Sequence, residues 1–219
     1  MNLKELASEN KPAVVRTILV FTLILLAAAL RLAPHPWNFT PMGAMALFAG
    51  ATIRDRRLAF LVPMLVMFAT DAIIGFNKLS PLVYASFLSS VLIGRVVVGR
   101  RFGASKRAKQ ESEPVSATDA KTRTLPRVAT ATFLGSLQFF LITNFGVWAF
   151  LGTYPRTAAG LAACYITGSP LFGNTLAGDA VYTALLFGAF FMAERLAPSL
   201  GLKTQHAAPS LPSFDREKL

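Results

Sequence analysis

Long apolar stretches separated by short clusters of charge constrain this chain more than any other feature. Unbroken runs occupy residues 14–32, 58–76, 79–99, 128–151 and 175–197, with a shorter one at 41–53. About 20 apolar residues suffice for a helix to cross a hydrocarbon core of roughly 30 Å. Inside lipid every backbone N–H and C=O needs a partner within the protein, so only helices and closed barrels span it. Barrel strands alternate in polarity over about ten residues, and these runs do not. The expected fold is an all-α membrane protein of about six transmembrane helices. Charged residues make up 15% of the chain, against about a quarter in a soluble domain.

Basic residues set the expected orientation. Nineteen of the 22 Lys and Arg fall before residue 17, at 54–57, at 95–127 or from 195 onward; the others are Arg31, Lys78 and Arg156. Cytoplasmic loops carry the excess of Lys and Arg, so both termini are expected inside. The same bias accounts for the net charge of +11 without invoking nucleic acid. The resulting plan is a cytoplasmic N-terminus at 1–13 and four transmembrane helices within 14–99. A basic, flexible cytoplasmic linker follows at 100–127, then two more helices within 128–197 and a disordered cytoplasmic tail at 198–219. Arg31 closing the first run, with Glu5 and Glu9 before it, favours an uncleaved first span over a signal peptide.

Two segments fit this plan less simply. Were 157–172 a span of its own, the turn Gly173-Asn174 would be cytoplasmic with no basic residue and the basic tail would lie outside. It is therefore expected to be a re-entrant or interfacial segment at the outer face. The run 41–53 rises only about 20 Å as a helix. Thr40 is its expected cap, with Pro41 at the first helical position. The preceding residues 36–39 must dip into the membrane or rest on neighbouring helices, since irregular backbone at that depth needs protein or a wet cavity beside it.

One cysteine, Cys164, and two distant histidines, His35 and His206, leave no disulfide or metal cluster to build. No nucleophile–base motif or phosphate-binding loop occurs, so neither an enzyme nor a cofactor is expected. Polar and aromatic residues gather instead at the expected outer face. Arg31, His35, Trp37 and Asn38 precede the short run, and Asn144, Trp148, Tyr154 and Arg156 close the fifth. Asn174 opens the last. For the aromatic residues an interfacial belt is the competing explanation. Asp71 and Asp179 lie within runs, where an unpaired carboxylate costs roughly 2.5–3.5 kcal/mol at mid-membrane. They either form structural ion pairs with Arg31 or Arg156, or serve a ligand or coupling ion. These eleven residues are the candidate substrate-binding set. Ala46 and Gly50 form a small-xxx-small pair suited to close helix approach.

The pattern Arg31-x-x-Pro34-His35-Pro36-x-Asn38-Phe39-Thr40-Pro41 recurs with Val83-Tyr84-x-Ser86-Phe87 and Thr143-Asn144-Phe145-Gly146-Val147-Trp148. Tyr154-Pro155-x-Thr157, Gly160-Leu161-x-x-Cys164-Tyr165 and Pro170-x-Phe172-x-Asn174-Thr175 complete it. Together they resemble a family of uncharacterised bacterial integral membrane proteins described as transport proteins. Size, six spans and cytoplasmic ends are similar to the S components of energy-coupling factor transporters. That resemblance implies a multi-pass protein of the bacterial plasma (inner) membrane that binds a small polar solute from outside. It also implies an energising membrane partner driven by ATPases. The mixed Arg, Asp, Asn and Trp set suits a polar organic solute with a planar part better than a bare metal ion. A non-transporting scaffold or assembly protein of the bacterial envelope is the alternative, and an enzyme using Asp71 and Asp179 as a carboxylate pair is a third reading.

Overall fold

The computed structural model describes residues 3–99 and 117–196, with side chains over 14–99 and 124–196. Six helices account for almost all of it. They are α1 (Leu3–Leu32), α2 (Met42–Thr52), α3 (Arg56–Ile74), α4 (Ser80–Ile93), α5 (Ala117–Phe150) and α6 (Ala158–Leu196). Helix α4 runs on into a wider π-type turn over Gly94–Val98. There is no strand among the described residues. Five helices are long and apolar enough to cross a membrane, and only α2 is too short. Their outward residues are apolar, with Leu25, Leu65, Ile166 and Leu185 all more than half exposed, as a lipid-facing surface requires. The chain is an all-helical, multi-pass membrane protein.

The 11-residue α2 sits at the centre. Ten of its residues are buried, and α1, α3, α4, α5 and α6 all pack on it. A helix that is apolar on every side has no face to give to water and belongs inside a bundle. Phe48 meets Phe187 and Phe190 edge-on, at 5.1 and 5.7 Å between ring centres. On the α4 side, backbones touch. A methyl added at Gly50 would fall 2.0 Å from the Val91 carbonyl oxygen, and one at Gly94 would fall 2.1 Å from that of Leu47. The expected close approach at Gly50 is thus made, and α4 is the helix it admits.

A helix about 16 Å long leaves its first N–H and last C=O groups without partners in the helix, so other elements must complete them. At the N-terminus Thr40 does not serve as the cap: Pro41 occupies that position and no local side chain bonds back. Instead, the carboxylate of Asp179 on α6 lies against this end, where a methyl added at Gly43 would fall 2.3 Å from one of its oxygens. At the C-terminus the Arg95 guanidinium donates to the carbonyl oxygens of Ile53 (3.3 Å) and Arg54 (3.0 Å). An anion at the N-terminus and a cation at the C-terminus both complement the helix dipole.

Two expected boundaries differ. Residues 158–172 form no separate re-entrant or interfacial segment: they are the start of α6, which continues unbroken for 39 residues. Pro170 cannot donate to Ile166, but the Ser169 hydroxyl takes that carbonyl at 2.8 Å, so the helix passes through. Helix α5 begins at Ala117, so the last part of the expected linker is helical. Helix α1 begins at Leu3, and its membrane-length part, Val14–Leu32, is the first expected run. The rest of the linker, to residue 116, and the expected tail lie outside the described residues.

Candidate functional site

The N-terminus of α2 ends part-way through the bundle, so residues 33–41 must descend to it from α1. Asn38 turns that descent with a φ of 61°, a left-handed conformation that Asn tolerates better than most residues. The Phe39 N–H donates to the Pro36 carbonyl. Phe39 then rests on Tyr182, 5.6 Å between rings, and its Cα would lie 3.1 Å from a methyl added at Gly178. Asn174 of α6 donates to the Trp37 carbonyl at 3.0 Å. The connection is therefore strapped along α6, as the short second run requires.

Behind this strap lies a cavity of about 150 Å³. Arg31, Asn38, Thr40, Met42 and Gly43 close it from the α1–α2 side, and Val83, Phe87 and Ser90 from α4. Gly135 and Phe139 of α5 and Thr175 and Asp179 of α6 complete the wall. A cavity of that volume holds a solute about the size of benzene.

Two of its charged groups are held very differently. Arg31 bonds Asp71 of α3 at 2.5 Å and Thr70 at 2.8 Å, and the other Asp71 oxygen accepts from Tyr84 of α4 at 2.6 Å. Both members of the pair are largely buried, with side-chain exposures of 14% and 8%. This network fastens α1, α3 and α4 together, and the structural ion pair expected as one alternative is present. Asp179 is 5% exposed and accepts from the Ser136 hydroxyl at 2.7 Å. Its oxygens reach the α2 N-terminus over Gly43, where a methyl would fall 2.3 Å from one of them and force the carboxylate to shift. Asp179 has no ion-pair partner among the described residues.

Of the eleven candidates, the cavity brings together Arg31, Asn38 and Asp179. Asp71 stands behind Arg31 and does not line the cavity that Asp179 borders. His35 turns its ring nitrogens to the carbonyls of Arg31 and Pro36. Trp37 is 83% exposed, and Asn174 fixes the strap from outside. Asn144, Trp148, Tyr154 and Arg156 lie on the α5–α6 hairpin and do not line the cavity. Asn144 bonds Phe140 within its own helix and Trp148 the Pro155 carbonyl. The sequence reading missed Thr40, Ser90 and Thr175, and the apolar floor of Phe87 and Phe139. The one available signal was the run of hydroxyls at Ser86, Ser89 and Ser90 inside an otherwise apolar stretch. No group of three metal-ligating side chains occurs among the described residues.

Fold and cavity define a polytopic helical membrane protein with a polar chamber at the end of a half-length central helix. The chain belongs to a family of unknown function, DUF6580, whose model matches residues 11–200. No curated protein and no solved structure matches it.

Proposed function

We propose that the protein takes up a small polar solute, as a transporter or as the substrate-binding membrane subunit of one, through a site open to the cell exterior. The observation that carries this reading is the cavity itself. Polar atoms from Arg31, Asn38, Thr40, Ser90, Thr175 and Asp179 converge on about 150 Å³ inside a bundle whose outer surface is apolar. Ionisable residues at membrane depth generally face a cavity and mark solute or ion pathways. The ending of a broken or half-length helix at such a chamber is a recurring arrangement in transporters.

The asymmetry of Lys and Arg puts the Arg54 and Arg195 ends in the cytoplasm and the Arg31 and Arg156 ends outside, in a bacterial plasma membrane. The 39-residue α6 crosses once, which keeps these assignments consistent. With no phosphate-binding loop in the sequence, energy comes from an ion gradient or from a separate membrane partner with ATPases. The Arg31–Asp71–Tyr84 network favours a second reading, a non-transporting scaffold whose buried polar groups serve packing alone. A thermal-shift screen of the purified full chain against compact polar solutes separates the two. Uptake predicts at least one saturable rise in melting temperature, abolished by filling the cavity with Gly135→Leu. A scaffold gives no rise with any solute.

A further inference from the structure

The charges around the cavity do not balance, and the imbalance says what the solute carries. Arg31 is matched by Asp71 at 2.5 Å, so its positive charge is already neutralised within the protein. Asp179 lines the same cavity at 5% exposure. Its hydrogen-bond partner is the Ser136 hydroxyl, which is neutral. The N-terminal end of α2 contributes only a fraction of a positive charge. A buried carboxylate needs an opposite charge or a proton, and the described residues offer no cation to it.

The rest of the wall suits a cation as well. Phe87 and Phe139 pack with ring centres 5.2 Å apart and both border the cavity. Aromatic faces attract ammonium groups, strongly so where water is excluded. The Ser90, Thr175 and Asn38 side chains supply acceptors for N–H or O–H groups. The guanidinium of Arg31, held back by Asp71 and Thr70, sets the limit on the far side.

We infer that the solute is a compact organic cation, a primary or quaternary ammonium of about four to seven non-hydrogen atoms, with Asp179 as its counter-ion. The inference rests on the uptake reading and names the charge of its solute. Arg31 borders the site as a neutralised, positioned group and does not bind an anionic end of the solute.

The test compares probes matched in shape and differing in charge, on the full chain in lipid nanodiscs. Choline is set against its neutral isostere 3,3-dimethylbutan-1-ol, and ethanolamine against ethylene glycol, with glycolate as the small anion. One of the two cations is expected to raise the melting temperature saturably, at concentrations at least tenfold below any effect of its neutral partner. Asp179→Asn, which keeps a hydrogen-bond acceptor for Ser136, is expected to weaken that cation roughly ten- to hundredfold. Equal binding of a neutral isostere, preference for glycolate, or full cation affinity in the Asn variant overturns the cation inference and leaves uptake standing. Silence with all five probes also overturns the inference; silence extended across the wider solute screen overturns uptake itself. The isostere comparison needs no variant, so it decides the matter even if Asp179→Asn does not fold.

Discussion

At the scale of single residues, two buried carboxylates that look alike in the sequence do different work. Asp71 holds Arg31 and Tyr84, and removing its charge leaves a buried guanidinium unmatched. Breaking such a pair costs about 3–5 kcal/mol, less where water reaches it. Asp71→Asn is therefore expected to lower the melting temperature markedly, and a second change, Arg31→Gln, to restore most of the loss. A double variant no more stable than the single one would contradict the pairing. Asp179 meets the N-terminal end of α2 from a distant helix. Asp179→Ala removes the carboxylate that Ser136 bonds, at about 1–3 kcal/mol, whereas Asp179→Asn should lose clearly less in the same unfolding measurement. Both carboxylates stood out in the sequence because charge within an apolar run is expensive. Arg31 was legible as the partner of Asp71; Tyr84 and Ser136 were not, because they are amphipathic or small residues that fit any apolar run. Thr40 looked like the cap because it precedes Pro41; the charge at that helix end comes instead from a carboxylate 139 residues later in the chain.

At the scale of elements, α2 explains most of the arrangement. Its length was legible as a short run, and so was the need for 36–39 to dip into the membrane or rest on neighbours. Which helices would enclose it was not, since no periodicity distinguishes one apolar face from another. The contact at Gly50 allows a sharp expectation. Gly50→Ala pushes a methyl toward the Val91 carbonyl, 2.0 Å away, so α2 and α4 must separate. Over-packing of this kind costs about 1–3 kcal/mol, and Gly50→Val should cost more, read as a falling folded fraction in size-exclusion profiles. Wild-type behaviour of both would remove the close approach. Helix α6 carries the opposite lesson. The pair Gly173-Asn174 read as a turn, and Pro170 lies just before it, but local breakers are outweighed here. Ser169 takes the carbonyl that Pro170 abandons, Tyr165 and Cys164 bond carbonyls of α5, and Phe172 packs on Phe140 at 4.9 Å. Tertiary contacts along α5 hold the helix straight through its weak point.

At the scale of the whole molecule, an asymmetric charge distribution accompanies a chamber lined by polar and apolar side chains. The long runs alone made the membrane class legible, and Arg31, Asn38 and Asp179 pointed to the chamber; the hairpin residues drew attention for polarity that serves their own local bonds. Orientation is open to direct labelling in a Cys164→Ser background, where serine can keep the hydrogen bond that the thiol makes to the Asn144 carbonyl. A cysteine at Lys78 should react with a membrane-impermeant maleimide on intact cells, and one at Arg57 only after permeabilisation; the reverse pattern would invert the protein. The most direct measurement of the central claim, a wet chamber open to the exterior, uses Thr175→Cys in the same background. Thr175 borders the cavity and is 9% exposed, so a thiol there reacts with a charged methanethiosulfonate only if water reaches it. The account predicts modification from outside in intact cells, faster with the cationic than with the anionic reagent. Reaction only from the cytoplasmic side of inverted vesicles, or no reaction from either side, would contradict it.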